Sequence, residues 1–120
     1  MPPPSPLKIK TSSVARLIKE EQSYHKELAS QKARLQRMED NNEDEYEIKQ
    51  QRKVVVETEQ MIPTVREKLE QAVEALELQL ELIDEDTDEK KTAVLAIEEA
   101  RKVYEGQPSS VGNSLFTDVS

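Results

Sequence analysis

The chain has no cysteine, no tryptophan, a single histidine and only two glycines among its 120 residues. Without cysteine it can form neither disulfide bonds nor a thiolate metal site, and one histidine, His25, supplies too few ligands for a transition metal. Two glycines do not build the glycine-rich loop that holds phosphate groups. The sequence therefore predicts a protein without catalytic residues, metal or cofactor, in which His25 is a surface residue.

Long apolar runs are also missing. The N-terminal segment Met1–Pro6 lacks the apolar stretch of a signal peptide, and no part of the sequence approaches a membrane-spanning run. A net charge of −8 disfavours nucleic acid as a partner, because contacts with phosphate dominate that affinity. We expect a cytoplasmic protein that binds neither membrane nor nucleic acid.

Charge is unevenly distributed along the chain. Residues 1–40 contain eight Lys and Arg against five Asp and Glu, a net charge of +3. Residues 41–120 contain nine against twenty, a net charge of −11. Since opposite charges attract at a distance, the first 40 residues are the part of the chain suited to an acidic partner surface.

Apolar residues recur every seven positions through the middle of the chain. They are Ile48, Val55, Ile62, Leu69, Leu76 and Ile83. An earlier series with alternating spacings of three and four contains Val14, Leu17, Glu21, Tyr24, Leu28, Gln31, Leu35 and Met38. Such a repeat places an apolar seam along one side of a long helix, and a neighbouring helix is needed to cover it.

Polar clusters divide this pattern into three helices, predicted at about residues 12–39, 43–83 and 88–105. The third follows from the spacing of Ala93, Ile97, Ala100 and Tyr104. Short connections make consecutive helices antiparallel neighbours. The predicted fold is all-α: an elongated antiparallel three-helix bundle with coiled-coil-like packing. We expect an extended proline-rich lead-in at residues 1–11 and a disordered tail at residues 106–120.

The predicted helices begin at residues suited to helix caps. The first has three N-cap candidates, Thr11, Ser12 and Ser13. For the second, Asn42 followed by Glu45 fits a capping box. The polar turn at residues 84–89 contains the cap of the third helix.

Acidic residues line one side of the second predicted helix. They are Glu67, Glu70, Glu74, Glu77, Glu81 and Asp84. A solvated face is the first interpretation, and a docking stripe for a basic partner is the alternative. Asp84, Asp86 and Asp88 are spaced like calcium ligands, but Glu89 and Leu95 stand where that loop needs Gly and Glu. Calcium binding is therefore not expected.

Pro63 lies inside the second predicted helix. It lacks the N–H that would bond the carbonyl of Glu59, and its ring crowds that carbonyl. We predict a kink at Pro63, which either lets the helix wrap around its neighbours or shapes a partner-binding face. Met61 lies off the apolar seam, so its side chain is expected at the surface.

Three stretches of the chain match a known family in order and spacing. They are Leu7–Thr11 with Val14, Arg16, Leu17, Lys19, Glu20, Tyr24 and Glu27; Tyr46–Gln50; and Met61–Pro63 with Arg66, Leu69 and Glu70. Together they resemble the tubulin-specific chaperone A family, also called tubulin-folding cofactor A. The resemblance extends over about residues 7–83, and the third predicted helix matches only in its pattern.

This resemblance implies a three-helix, cytoplasmic and cytoskeleton-associated protein that captures β-tubulin before its assembly with α-tubulin, without ATP or metal. The implied partners are β-tubulin and other tubulin-folding cofactors, and the implied state is a monomer or weak homodimer. The family pattern supplies no sharp list of contact residues. We predict partner-binding roles for matching positions that the seam does not require: Lys8, Lys10, Arg16, Lys19, Lys49, Met61 and Arg66.

Two other kinds of protein share parts of this pattern. A prefoldin-like chaperone subunit also has two coiled-coil helices, but the connection Asp40–Asn42 is too short for the β-hairpins of that family. A structural coiled coil would close its seams by self-association. Pro63 argues against a long uniform rod, although a kinked dimer stays open as an alternative.

Overall fold

The structure, a computed structural model, describes residues 3–105. It contains three α-helices: α1 at Pro6–Asp40, α2 at Glu45–Glu81 and α3 at Asp88–Tyr104. Within these residues no strand occurs, so the predicted all-α, three-helix fold class is confirmed. The predicted tail at residues 106–120 and the first two residues of the lead-in lie outside the described part of the chain.

The predicted start of α1 is wrong, because the helix begins at Pro6 and includes most of the segment expected to be extended. Ser5 caps it: its Oγ accepts a hydrogen bond from the Lys8 amide at 3.1 Å. Proline is tolerated at the first helical position, where its missing N–H would have no partner in the helix. The extra turn buries Leu7, which is 3% exposed.

Thr11 and Ser13, predicted as caps, lie inside α1. The Thr11 hydroxyl donates to the Leu7 carbonyl at 2.8 Å, and the Ser13 hydroxyl donates to the Ile9 carbonyl at 3.2 Å. These bonds to the preceding turn satisfy the hydroxyls without interrupting the helix.

The α1–α2 connection also differs from the expected capping box. Asn42 has a φ of 51°, and the Glu43 amide donates to the Met38 carbonyl at 3.0 Å. Together with the bond from the Asn42 amide to the Glu39 carbonyl, this is a Schellman ending of α1. Asp44 caps α2 instead, since its Oδ2 accepts from the amides of Tyr46 and Glu47.

α3 begins in the predicted polar turn. Thr87 is its N-cap, with an extended backbone and a side chain that accepts from the Lys90 amide at 3.2 Å. The Lys90 ammonium donates to the Ile83 carbonyl at 3.1 Å, which ties the start of α3 to the chain that follows α2. Hydrogen bonds thus connect this turn both to the start of α3 and to the chain that follows α2.

The chain divides into two compact regions. Among the described residues, the first, called here the three-helix region, comprises residues 3–18 and 68–105, and the second, the two-helix region, is Lys19–Glu67. The core of the three-helix region is formed by buried residues of all three helices: Leu7, Val14, Ile18, Leu69, Val73, Leu76, Ala93, Ile97 and Ala100. Every predicted seam residue of α3 is buried or half-buried.

The two-helix region is a pair of antiparallel segments of α1 and α2. Its buried apolar residues are Met38, Ile48, Val55, Ile62 and Val65. Three of these belong to the predicted seven-residue repeat, and all members of both predicted seams are buried or half-buried. The seam predicted from the spacing of apolar residues is therefore confirmed.

Pro63 lies within α2, which continues from Glu45 to Glu81 without interruption. Its side chain is exposed, and it supplies no amide donor to the Glu59 carbonyl. The helix does not end at this residue, and the predicted kink stays a prediction.

Candidate partner-binding surfaces

A buried carboxylate occupies the seam of the two-helix region. Glu21 has a side chain only 5% exposed, and its Oε2 accepts from Arg66 Nε at 3.0 Å and from Arg66 Nη2 at 2.9 Å. His25 Nε2 lies 2.6 Å from the same oxygen. Because a buried charge needs a partner, Arg66 compensates the Glu21 carboxylate and thereby joins α2 to α1.

Arg66 was predicted as a partner-binding residue, and the structure places it inside this cluster with a side chain 22% exposed. His25 has a side chain 46% exposed, in agreement with the predicted surface position. Sequence reasoning noted Glu21 as a polar member of the seam but missed its pairing with Arg66. The sequence contained one indication of this pair: an acidic residue in the seam of α1 and an arginine beside the seam of the antiparallel helix α2.

Two further ion pairs join the helices on the same side. Lys32 lies 3.5 Å from Glu59, and Arg52 lies 2.7 Å from Glu39. Residue numbers rise along α1 as they fall along α2, which establishes the antiparallel pairing. We call this side of the two-helix region the ion-paired flank. The α2 members Arg52, Glu59 and Arg66 each follow a seam residue by four positions.

The opposite side of the seam on α2 carries apolar residues. Val54 and Met61 precede the seam residues Val55 and Ile62, and they are 36% and 39% exposed. The predicted exposure of Met61 is thus confirmed. The ion pairs that join α1 to α2 in the two-helix region lie on the other side of the seam. We call the side with Val54 and Met61 the open flank, and these two apolar side chains lie two helical turns apart along α2.

Polar side chains also enter the two-helix seam. Gln51 and Thr58 are buried, and Gln51 Nε2 donates to the Gln31 backbone carbonyl at 3.0 Å. The Gln31 side-chain oxygen is buried without a hydrogen-bond partner. Such groups weaken the apolar contribution of the seam, because each must be desolvated when the helices pair.

The three-helix region has its own exposed apolar residues. Leu78, Leu82, Val94 and Leu95 all present large side chains to solvent. Near them Glu77 pairs with Arg101 and raises the pKa of that guanidinium. Burial raises the pKa of Tyr104, and its hydrogen bond with Arg101 acts in the opposite direction. The predicted acidic side of α2 is exposed except for Glu77, which is half-buried.

The remaining predicted contact residues are divided between the two regions. Lys8 and Arg16 are exposed and Lys10 is half-buried, all in the three-helix region. Lys19 and Lys49 are exposed in the two-helix region. Lys49 borders a shallow depression at the α1–α2 connection, together with Asn42 and Arg52. The predicted contacts therefore do not form one cluster, and their roles stay predictions.

Neither region holds the arrangement of a metal centre. Within residues 3–105 no three His, Cys, Asp or Glu side chains are grouped so that they could hold a metal ion. No helix in this part of the chain has the length and apolar character needed to span a membrane.

Long helices with exposed apolar and charged faces define a helical binding protein. A sequence profile described as tubulin binding cofactor A matches residues 2–103. The chain belongs to the tubulin binding cofactor A family, whose members are non-catalytic binding proteins.

Individual relatives show the same similarity. The tubulin-folding cofactor A of Arabidopsis thaliana is 42% identical over 96 residues, which cover 80% of this chain and 82% of that protein. The tubulin-specific chaperone A of Saccharomyces cerevisiae is 34% identical over 99 residues, with 80% and 93% covered. A solved structure of a β-tubulin binding post-chaperonin cofactor superposes with a TM-score of 0.75 at 31% identity, covering 84% and 99%.

Proposed function

We propose that this protein captures β-tubulin after its release from the chaperonin and stabilises it before assembly with α-tubulin, without ATP. The observation that carries the proposal is the family match over residues 2–103, supported by a structural relative described as a β-tubulin binding post-chaperonin cofactor. The proposed setting is the cytoplasm, where other tubulin-folding cofactors are the further proposed partners.

The physical mechanism is stoichiometric covering of an unpaired subunit surface. A subunit that lacks its mate exposes a large apolar patch, which drives aggregation unless another surface excludes water from it. Val54 and Met61 on the open flank supply apolar contacts, and the surrounding charged residues keep the free protein soluble. No chemical step is needed, in keeping with a non-catalytic family.

Charge gives the proposed complex an orientation. Residues 1–40 carry +3 and residues 41–120 carry −11, so α1 faces the partner and the acidic side of α2 faces solvent. The proposed contacts are the seven predicted residues: Lys8, Lys10, Arg16, Lys19, Lys49, Met61 and Arg66. Of these, Arg66 contributes mainly through its ion pair with Glu21.

The direct test is capture of tubulin from cytosol by the immobilised protein. We expect a stoichiometric complex with β-tubulin alone, formed equally with and without ATP and free of α-tubulin. Recovery of intact α/β heterodimer would contradict capture before assembly. Recovery of no tubulin, with self-association in sedimentation equilibrium, would instead favour a structural coiled coil.

Charge reversal tests the orientation. Arg16→Glu with Lys19→Glu should weaken capture more than Glu70→Lys with Glu74→Lys, because only the first pair faces the partner. Glu70 and Glu74 are suited to the control because both are exposed, whereas Glu77 is paired with Arg101. Equal losses of affinity from both pairs would contradict the orientation.

A further inference from the structure

A second periodic face runs along α1 in the two-helix region, away from the seam. Its positions alternate in steps of four and three: Lys19, Ser23, Lys26, Ser30, Ala33 and Arg37, with Arg34 beside them. All seven residues are exposed. We call this surface the basic face, because its only charged residues are Lys19, Lys26, Arg34 and Arg37. At about 1.5 Å per residue, it extends over about 27 Å of helix.

The cations of the basic face are not neutralised within the described part of the chain. None of the four takes part in an ion pair there, whereas the neighbouring Lys32 pairs with Glu59. Helical neighbours at three and four positions would be the natural partners. For Lys19 and Lys26 these positions hold Ala15, Arg16, Gln22, Ser23, Ala29 and Ser30, none of which is acidic.

This arrangement is unusual for a chain with 25 acidic residues. Of the five acidic residues of α1, Glu21 and Glu39 are paired across the seam, and Glu20 and Glu27 lie beside it in the heptad register of Arg34. Asp40 ends the helix three residues after Arg37 and accepts a hydrogen bond from Gln36. The face combines concentrated positive charge with small side chains, Ser23, Ser30 and Ala33. Small residues allow another backbone to approach, because the distance between packed helices depends on the side chains at the contact.

We propose that the basic face binds a carboxylate-rich segment of the captured tubulin chain, an inference that rests on the proposed function. Complementary charge is what favours this occupant: an acidic segment meets unpaired cations at helical spacing without having to displace internal acids. Arg34 and Arg37 supply forked donors for bidentate contacts with carboxylates, and Lys19 and Lys26 supply compact charges.

Two other occupants are disfavoured by charge. A nucleic acid would be repelled by a chain of net charge −8, and four cations neutralise few phosphates. A second copy of this chain would carry the same net charge of −8, so two copies repel each other at long range. An acidic segment of limited length experiences the local positive face more than the distant acids, because salt screens the latter.

The test is the affinity for β-tubulin of full-length variants at low and moderate salt. Lys19→Glu with Lys26→Glu should weaken binding by about tenfold, since two attractive contacts become repulsive. Lys19→Arg with Lys26→Arg should bind like the unaltered protein, because the charge is kept. The matched control is Lys53→Glu with Lys91→Glu, two exposed lysines outside the face, which make the same change in net charge.

Each outcome decides between explanations. A tenfold loss confined to the Lys19 and Lys26 reversal, smaller at higher salt, supports the basic face. Equal losses in the reversal and the matched control would show an effect of net charge alone and overturn it. A salt-sensitive dimer of the unaltered protein that dissociates on reversal would assign the face to a second copy and overturn the proposal. Failure of the unaltered protein to bind β-tubulin would overturn the proposed function itself, whereas normal binding by the reversal variant would overturn only the basic face.

Discussion

The same heptad position of α2 has opposite chemistry in the two regions. Four residues after a seam residue, the three-helix region has Val73 and Leu80, which pack in the core. At the corresponding position the two-helix region has Arg52, Glu59 and Arg66, which pair with charged residues of α1. Apolar residues at this position give a third helix a surface to cover, whereas charged ones close the flank with ion pairs.

α1 shows the same change of chemistry along its length. Ile18, four residues after Val14, is buried in the three-helix core. At the corresponding positions of the two-helix region, Lys32 and Glu39 lie in ion pairs, and His25 contacts the Glu21 carboxylate. From this difference we infer that the seam residues determine which helices pair. The residues beside the seam determine whether a third helix packs against that pair. We therefore expect most of the folding stability to come from the three-helix region, and we propose that partner binding involves chiefly the two-helix region.

Truncation of a core side chain should give the largest difference in stability between the two regions. Leu69→Ala should cost about 3–5 kcal/mol of the free energy of unfolding, because the fully buried side chain leaves a cavity among three helices. Ile62→Ala removes as many carbons from the two-helix seam and should cost only about 2 kcal/mol. Urea denaturation measures both, with the exposed Leu78→Ala as the control. A larger cost for Ile62→Ala would reverse the assignment.

The buried ion pair gives the next largest effect. Glu21→Ala should cost about 2–3 kcal/mol, because it leaves Arg66 partly buried without its carboxylate. Glu21→Leu combined with Arg66→Leu should recover most of that loss, since an apolar pair avoids the desolvation of two charges. Thermal unfolding of the single and double variants checks this. A double variant as unstable as Glu21→Ala would show that the pair itself, not its desolvation, controls stability.

Much of the fold could be predicted from the sequence, because long apolar repeats depend on helix geometry alone. The start of α1 could not, since a proline-rich composition suggests extended chain while Pro6 is compatible with the first helical turn and Leu7 gains burial there. Asn42 was predicted to cap α2 but belongs to the ending of α1, because asparagine suits both an N-cap and a left-handed helix ending.

The candidate surfaces were less predictable. Exposed Met61 followed from its place off the seam, but the Glu21–Arg66 pair required the antiparallel register of α1 and α2. The charged residues beside the seam were visible in the sequence. Their contrast with Val73 and Leu80 would have indicated where the third helix packs, and this signal was missed.

The ion-paired flank provides a smaller test. Arg52→Ala should cost about 0.5 kcal/mol, because the pair with Glu39 is exposed and screened by solvent. Lys53→Ala, at an exposed neighbouring position, should change stability by less. Urea denaturation at low and high salt measures the difference, which should shrink as salt is added. A salt-independent loss above about 2 kcal/mol would contradict a screened surface pair.

The smallest expected effect is a loss of stability at alkaline pH, and it arises in the three-helix region. Because burial raises the pKa of Tyr104, its neutral phenol is favoured in the folded state. The resulting stabilisation is fully present below the unfolded pKa of about 10 and is lost as pH rises through the folded value. Ultraviolet titration should show a late component that disappears in Tyr104→Phe. A titration curve whose late part is unchanged in Tyr104→Phe would contradict this environment.

The most direct test of the division between stability and binding is hydrogen exchange of the free and β-tubulin-bound protein, resolved by peptide. In the free protein, amides of residues 19–67 should exchange faster than those around Leu69, Leu76 and Ile97, because the two-helix seam is narrow and partly polar. On binding, residues 19–67 should gain most of the protection. Equal protection of both regions in the free protein, or protection gained mainly at residues 68–105, would contradict the account.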